Sequence, residues 1–229
     1  PLYKLENLSR SCGKNLYIKR DDMTGVALGG NKVRKLEFLL ADAREKGCDV
    51  VLPTGGPQSN HAMLTAACAS RLRMRAILVL KKRGELTGGN LILDDIFNAE
   101  VRLVDTDSYD DVYAEMAAIM ETLRKAGNKP YFIPVGGSVP RGSLGYVGCT
   151  EEIAAQSKAL GVNFDAIVSA TGSGGTYAGL PYGAKLNLPG PRSVGLGRWD
   201  CPLDALPFDL TAWPKAPLVP ACPSVVAAS

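Results

Sequence analysis

The sequence predicts an α/β protein built on parallel sheet, and three observations carry that expectation. Short β-branched runs alternate with amphipathic stretches from position 16 to position 180. Their spacing leaves room for one helix between successive strands, the right-handed crossover that parallel neighbours require. Glycine-rich turns precede three of the helical stretches, and in such sheets ligands sit at strand carboxyl ends against helix N-termini.

In chain order, strands are expected at 16–19, 50–53, 75–80, 101–104, 131–135 and 166–169. Helices are expected at 32–46, 59–72, 90–97, 109–125 and 151–160. The first helix places Val33, Leu36, Leu40 and Ala43 on one stripe, and Gly47 ends it. The second follows a Val-rich strand, is rich in alanine, and opens on Ser59 and Asn60, both good N-caps. The last 49 residues differ: nine prolines fall in 181–229, against six in 1–180. Proline at 202, 207, 214, 217, 220 and 223 breaks helices and interior strands, so 198–229 is expected to be an irregular, divergent tail.

Composition narrows the function. The 229 residues are 46% apolar and 21% charged, enough for one large domain or two small ones. A net charge of +3 is too small for a dedicated nucleic-acid binder, and no run reaches the roughly 18 apolar residues of a membrane span. The first ten residues carry no signal-peptide pattern. Cysteines at 12, 48, 68, 149, 201 and 222 make no C-x-x-C pair, so a reducing cytoplasm is expected. A single histidine, His61, excludes any multi-histidine metal site, and no metal is expected.

Three glycine-rich turns carry the chemistry. Gly29-Gly30-Asn31-Lys32 opens the first long helix. The positive end of a helix dipole disfavours a lysine's charge, which would help keep an amine neutral for Schiff-base chemistry. Taken alone, Lys32 reads first as one of a solvated basic cluster with Arg34 and Lys35, since most lysines face solvent. The second turn runs from Thr54 to His61 and suits close approach of an anion, although capping alone explains Ser59 and Asn60. The third, Thr171-Gly172-Ser173-Gly174-Gly175-Thr176, offers amides and hydroxyls that suit a phosphate dianion; an unliganded βα turn is the other reading. It matches neither the P-loop nor the dinucleotide fingerprint. Together the turns suggest a phosphorylated aldehyde, pyridoxal phosphate, whose ring is an electron sink.

The runs Lys19-Arg20-Asp21-Asp22, Gly29 to Glu37, Gln58-Ser59-Asn60-His61, Ile133 to Ser138, Leu144-Gly145-Tyr146, and Thr171–Thr176 continuing to Leu180 resemble the D-cysteine desulfhydrase and 1-aminocyclopropane-1-carboxylate deaminase family. The resemblance covers about 1–197. It implies the tryptophan-synthase-β-like fold (fold type II) of pyridoxal-phosphate enzymes: two open parallel sheets flanked by helices, here apparently truncated at the C-terminus. It divides the chain into parts of a large cofactor domain at 1–47 and 145–197, a small α/β domain at 48–144, and the tail.

The same resemblance implies residue roles. Lys32 would form the Schiff base and shuttle the Cα proton. Asn60 would bond the cofactor's ring oxygen. Ser59, with the amides of Asn60 and His61, would hold the substrate carboxylate, and Ser59 would also lie near the reacting carbon. Gly172, Ser173, Gly174, Gly175 and Thr176 would bind the phosphate. Deaminases of the family commonly read QSNQ and the desulfhydrase-like branch QSNH, so His61 implies β-elimination of sulfide from D-cysteine to give pyruvate and ammonia. Alternatives are the deaminase and an L-cysteate sulfo-lyase. A third, of another class, is a non-catalytic remnant that still binds cofactor. A small amino-acid substrate and a homodimer are implied, with no nucleic acid or membrane partner. Two departures stand out: Met63 replaces the usual arginine, and neither a YTGKA-like nor an HTGG-like motif follows position 197.

Overall fold

The computed structural model describes residues 1–82, 88–188, 190, 192–197 and 225–228, the last two stretches by their backbone. In chain order the elements are β1 Leu2–Lys4, α1 Glu6–Cys12, β2 Asn15–Lys19, α2 Asn31–Glu45, β3 Val50–Gly55, α3 Asn60–Arg71, β4 Arg75–Lys82, α4 Asn90–Ile96, β5 Glu100–Asp105, α5 Tyr109–Lys125, β6 Pro130–Ile133, α6 Pro140–Leu160, β7 Ala166–Thr171, α7 Gly175–Asn187, β8 Arg192–Gly197 and β9 Val225–Ala228. They form two compact units, Pro1–Met23 with Ser138–Ser229, and Thr24–Gly137. The expected domain bounds at 48 and 145 differ from these. The apolar stripe of α2 packs against α3, which takes that helix into the second unit.

The Thr24–Gly137 unit holds a four-stranded sheet in the order β5-β4-β3-β6, with every pair parallel. Every residue of β3 is buried, as is the run from Ala76 to Leu80 in β4. Near-continuous apolar burial belongs to central strands covered on both faces. Val50, Leu52, Ile77 and Val79 pack with Val112 and Met116 of α5 on one face. Side chains of a strand alternate, so Val51 and Leu78 face the opposite side, where α3 lies on β3 and β4. The edge strands β5 and β6 are only partly buried.

The other unit is built on a five-stranded sheet, β1-β2-β9-β7-β8. Here β7 and β8 pair in parallel, whereas β1–β2, β2–β9 and β7–β9 are antiparallel. Helices α6 and α7 pack on each other and carry Tyr146, Cys149, Ile153, Leu180 and Ala184 into a core with Tyr17, Phe164 and Ile167. Tyr17 meets Phe164 edge-on, ring centroids 5.4 Å apart. Lys19 is buried, and its Nζ donates to Glu152 Oε2 at 2.5 Å and to Gln156 Oε1 at 2.8 Å. Those two acceptors meet the need of a buried charge for partners.

Two expectations need correction, at α6 and in the tail. Helix α6 begins at Pro140, well before the expected 151, because Gly142, Ser143, Gly145 and Gly148 look like turn residues. Helix α7 continues through Pro181, where one backbone donor is lost. Position 225–228 of the expected irregular tail forms β9, an interior strand. Val225, Val226, Ala227 and Ala228 are apolar and free of proline, which allows ladder bonds on both edges. The rest of that tail lies outside the described residues. Among the described residues no helix is long and apolar enough to cross a membrane.

Candidate active site

In the Thr24–Gly137 unit, Gly29 and Gly30 turn the chain into α2 with φ of +67° and +127°, conformations that a side chain would strain. Gly30 donates its N–H to Thr24 Oγ1 at 3.3 Å, and Asn31 is the first helical residue. Lys32 therefore stands in the first turn, as the motif implied, with its Nζ donating to Asn31 Oδ1 at 3.2 Å. Burial pushes its pKa down from the ordinary lysine value. An amine placed there is neutral more readily, and a neutral amine is both nucleophile and base.

Lys35, one turn further on, corrects the solvated-cluster reading. It is 1% exposed, with Nζ donating to the Gly136 carbonyl at 3.1 Å. Burial first, and the charge of Lys32 second, hold its pKa well below the usual range. Arg34 is also buried. Nothing in the sequence pattern separated these residues from surface cations.

The turn after β3 positions the second group. Ser59 is the N-cap of α3, its hydroxyl accepting from the Ala62 N–H at 3.2 Å, so the capping reading holds for its side chain. Asn60 opens the helix and is exposed. His61 turns inward: it is 3% exposed, and among the described residues neither ring nitrogen reaches full hydrogen-bond geometry, with the Pro134 backbone as a weak partner. Its ring lies against Gly137, where an added Cβ would come within 3.1 Å of Cε1. Met63, in the place of the family's arginine, is 1% exposed and belongs to the core.

Burial, then the charges of Lys32 and Lys35, lower the His61 pKa to about 3. Between that value and the ordinary 6.5, the unfolded chain takes up a proton that the folded chain does not. Stability from the neutral ring is therefore complete above 6.5 and is lost as pH falls toward 3, by up to about 1.4 kcal/mol per pH unit. Urea unfolding from pH 7 down to 4 is expected to show a shallower loss for His61→Gln than for the parent chain; equal slopes would contradict the assignment.

The unit formed with Ser138–Ser229 carries the third turn. Gly174, at φ +81°, is the N-cap of α7, a left-handed conformation suited to glycine. Ser138, the last residue of the Ile133–Ser138 run, organises this loop. Its buried hydroxyl accepts from the Gly175 N–H at 3.2 Å and donates to Ser173 Oγ at 2.7 Å. At the end of β7, among the described residues, Thr171 Oγ1 is buried without a hydrogen-bond partner and nothing lies within 4 Å of a Cβ added at Gly172. An orphaned hydroxyl, a glycine turn and a helix start together fit a phosphate. The desolvated amine of Lys32 fits an aldehyde. Lys32, Ser59, Asn60 and His61 thus share one unit, and Gly172–Thr176 belong to the other.

Comparison with known proteins agrees with this chemistry. The family model described as pyridoxal-phosphate dependent enzyme matches residues 1–203. A Pyrococcus horikoshii protein named for 1-aminocyclopropane-1-carboxylate deaminase is 50% identical over 198 residues, covering 86% of this chain and 59% of its own. A D-cysteine desulfhydrase of Yersinia enterocolitica is 46% identical over 202 residues, covering 86% and 60%. The crystal structure of an ACC deaminase homologue superposes with a TM-score of 0.80 at 48% identity, over 86% of this chain and 59% of that one. The chain thus spans about three-fifths of the length of the relatives it matches. With the family model covering most of its residues, the chain belongs to the pyridoxal-phosphate-dependent enzymes, of fold type II.

Proposed function

We propose that this chain carries the machinery of a lyase that eliminates hydrogen sulfide from D-cysteine, with water completing the products pyruvate and ammonia. The observation that carries the reading is the QSNH run, in which His61 is buried at the head of α3 within reach of the charges of Lys32 and Lys35. Relatives named D-cysteine desulfhydrase at 43–46% identity support it.

Pyridoxal phosphate, when bound, supplies a ring that takes up the electron pair left on the substrate's Cα. The residues do the rest. Lys32 Nζ, desolvated and readily neutral, would hold the aldehyde and serve as the base that takes the substrate's Cα proton. Ser59 and the first amides of α3 hold the substrate carboxylate, since a helix start favours an anion. Asn60 donates to the ring oxygen, and His61 shapes the space for the leaving sulfur. In the other unit, Gly172, Ser173, Gly174, Gly175 and Thr176 take the phosphate. A homodimer acting in the cytoplasm completes the reading.

Relatives named for 1-aminocyclopropane-1-carboxylate deaminase, at up to 50% identity, favour a second substrate. One assay separates the two. The chain is incubated with pyridoxal phosphate and either D-cysteine, L-cysteate or 1-aminocyclopropane-1-carboxylate. Sulfide and pyruvate from D-cysteine are expected. Ammonia from the cyclopropane without sulfide from D-cysteine would replace the reading with the deaminase, and sulfite from cysteate with the sulfo-lyase.

A further inference from the structure

Three side-chain amides stand in a row in the Thr24–Gly137 unit; backbone groups fix the direction of two, and the second of these fixes the third. Gln58 Oε1 accepts from the backbone N–H of Asn90 at 2.8 Å, and Gln58 Nε2 donates to the Gly88 carbonyl at 3.1 Å. A backbone N–H only donates and a carbonyl only accepts, so the Gln58 amide has one orientation. Asn90 Nδ2 donates to the backbone carbonyl of Gln58 at 3.0 Å, which fixes the second amide in the same way. That Nδ2 also donates to Asn60 Oδ1 at 2.9 Å. The Asn60 oxygen is thereby committed. Its NH₂ group, on the opposite edge of a planar amide, points away from Asn90 and has no partner among the described residues.

The turn before α4 is shaped for this. Gly88 and Gly89 both have positive φ, +62° and +64°, which brings Asn90 back toward Gln58. A Cβ at position 89 would run into the Gln58 amide, with Cδ only 2.8 Å away.

We propose that Asn90, braced by Gln58, is a positioning residue that makes Asn60 a donor rather than an acceptor toward its ligand. This rests on the reading of Asn60 as the residue facing the cofactor's ring oxygen. An ionised ring oxygen only accepts, so the NH₂ edge stabilises it and the carbonyl edge repels it. An unrestrained asparagine would present either edge.

Asn90→Asp tests this with almost no change of shape. A carboxylate has no donor for Asn60 Oδ1 and instead attracts the Asn60 NH₂, so the amide turns round. An acid in a helix's first turn is favoured by the dipole, so the variant retains its fold. The full chain, Asn90→Asp, Asn90→Ala and Asn60→Ala are loaded with pyridoxal phosphate. Equilibrium dialysis gives the affinity, and the ratio of absorption bands from ionised and neutral ring oxygen gives the hydrogen bond.

Asn90→Asp is expected to bind the cofactor about 10- to 100-fold more weakly, the loss of one charge-assisted bond, and to shift the band ratio toward the neutral form. Asn90→Ala shifts both in the same direction by less. Asn60→Ala with Asn90→Asp goes no further than Asn60→Ala alone. If Asn60→Ala changes affinity and bands but both Asn90 variants match the parent, Asn60 keeps its role and the positioning by Asn90 is overturned. If Asn60→Ala itself leaves both unchanged, the reading of Asn60 fails and takes this inference with it.

Discussion

Lys32→Ala is expected to abolish covalent retention of pyridoxal phosphate and, on the proposed function, to lower turnover of D-cysteine by at least about 10²–10⁴-fold, the range of a lost acid–base group alone. The chain should still fold, because Lys32 is only partly buried and its hydrogen bond to Asn31, at 3.2 Å, joins neighbours in sequence. Lys32→Arg separates charge from chemistry. A guanidinium keeps the positive charge yet stays protonated, so it can neither bond the aldehyde nor take a proton. Both variants should therefore fail alike in single-turnover assays and in cofactor retention after gel filtration. Substantial activity in Lys32→Arg would mean that the position acts by charge.

Two helical glycines in α6 and α7 are expected to respond to alanine with opposite sign. At Gly179 an added Cβ would meet the Ser143 carbonyl and come within 2.6 Å of Tyr146 Cβ. Backbone and a fully buried tyrosine cannot step aside, so Gly179→Ala should destabilise by about 1–3 kcal/mol, as overpacking does. Gly148 is also helical, but among the described residues nothing lies within 4 Å of its added Cβ. Gly148→Ala should stabilise by up to about 1 kcal/mol through helix propensity. Urea midpoints of the two variants, read against the parent chain, check the pair. A loss in Gly148→Ala would mean that its Cβ position is not open, and no loss in Gly179→Ala would mean that α6 and α7 do not meet at Ser143 and Tyr146.

Those glycines also mark where the sequence could not be read. Strand and helix periodicity was legible wherever one side of an element met solvent or a broad apolar face. Examples are the stripe Val33, Leu36, Leu40 and Ala43, and the central strands β3 and β4. The first half of α6 carries Gly142, Ser143, Gly145 and Gly148, residues that locally favour turns. Two of the contacts that override them, Gly179 against Ser143 and Gly183 against Val147 and Thr150, join α6 to a helix some thirty residues later, beyond any local window. Strand β9 escaped for the same reason, since its partners β2 and β7 are remote and its neighbourhood in sequence is rich in proline.

In the site, the legible part was the set of turns: Lys32 in the first turn of α2, Ser59 capping α3, and Gly174 at the head of α7. Burial was not legible. The spacing of charges gave no sign that Lys35 lies 1% exposed, nor that His61 is 3% exposed. The amides of Gln58 and Asn90 look like ordinary loop residues until their hydrogen bonds to Gly88, to each other and to Asn60 are seen together.

The central claim is that one amine, Lys32, holds the cofactor's aldehyde. The chain loaded with pyridoxal phosphate is reduced with borohydride, digested and mapped by mass spectrometry. A single reduced adduct on Lys32 is predicted, absent from Lys32→Ala. An adduct on Lys35 or another lysine, or none in a folded chain, would contradict it.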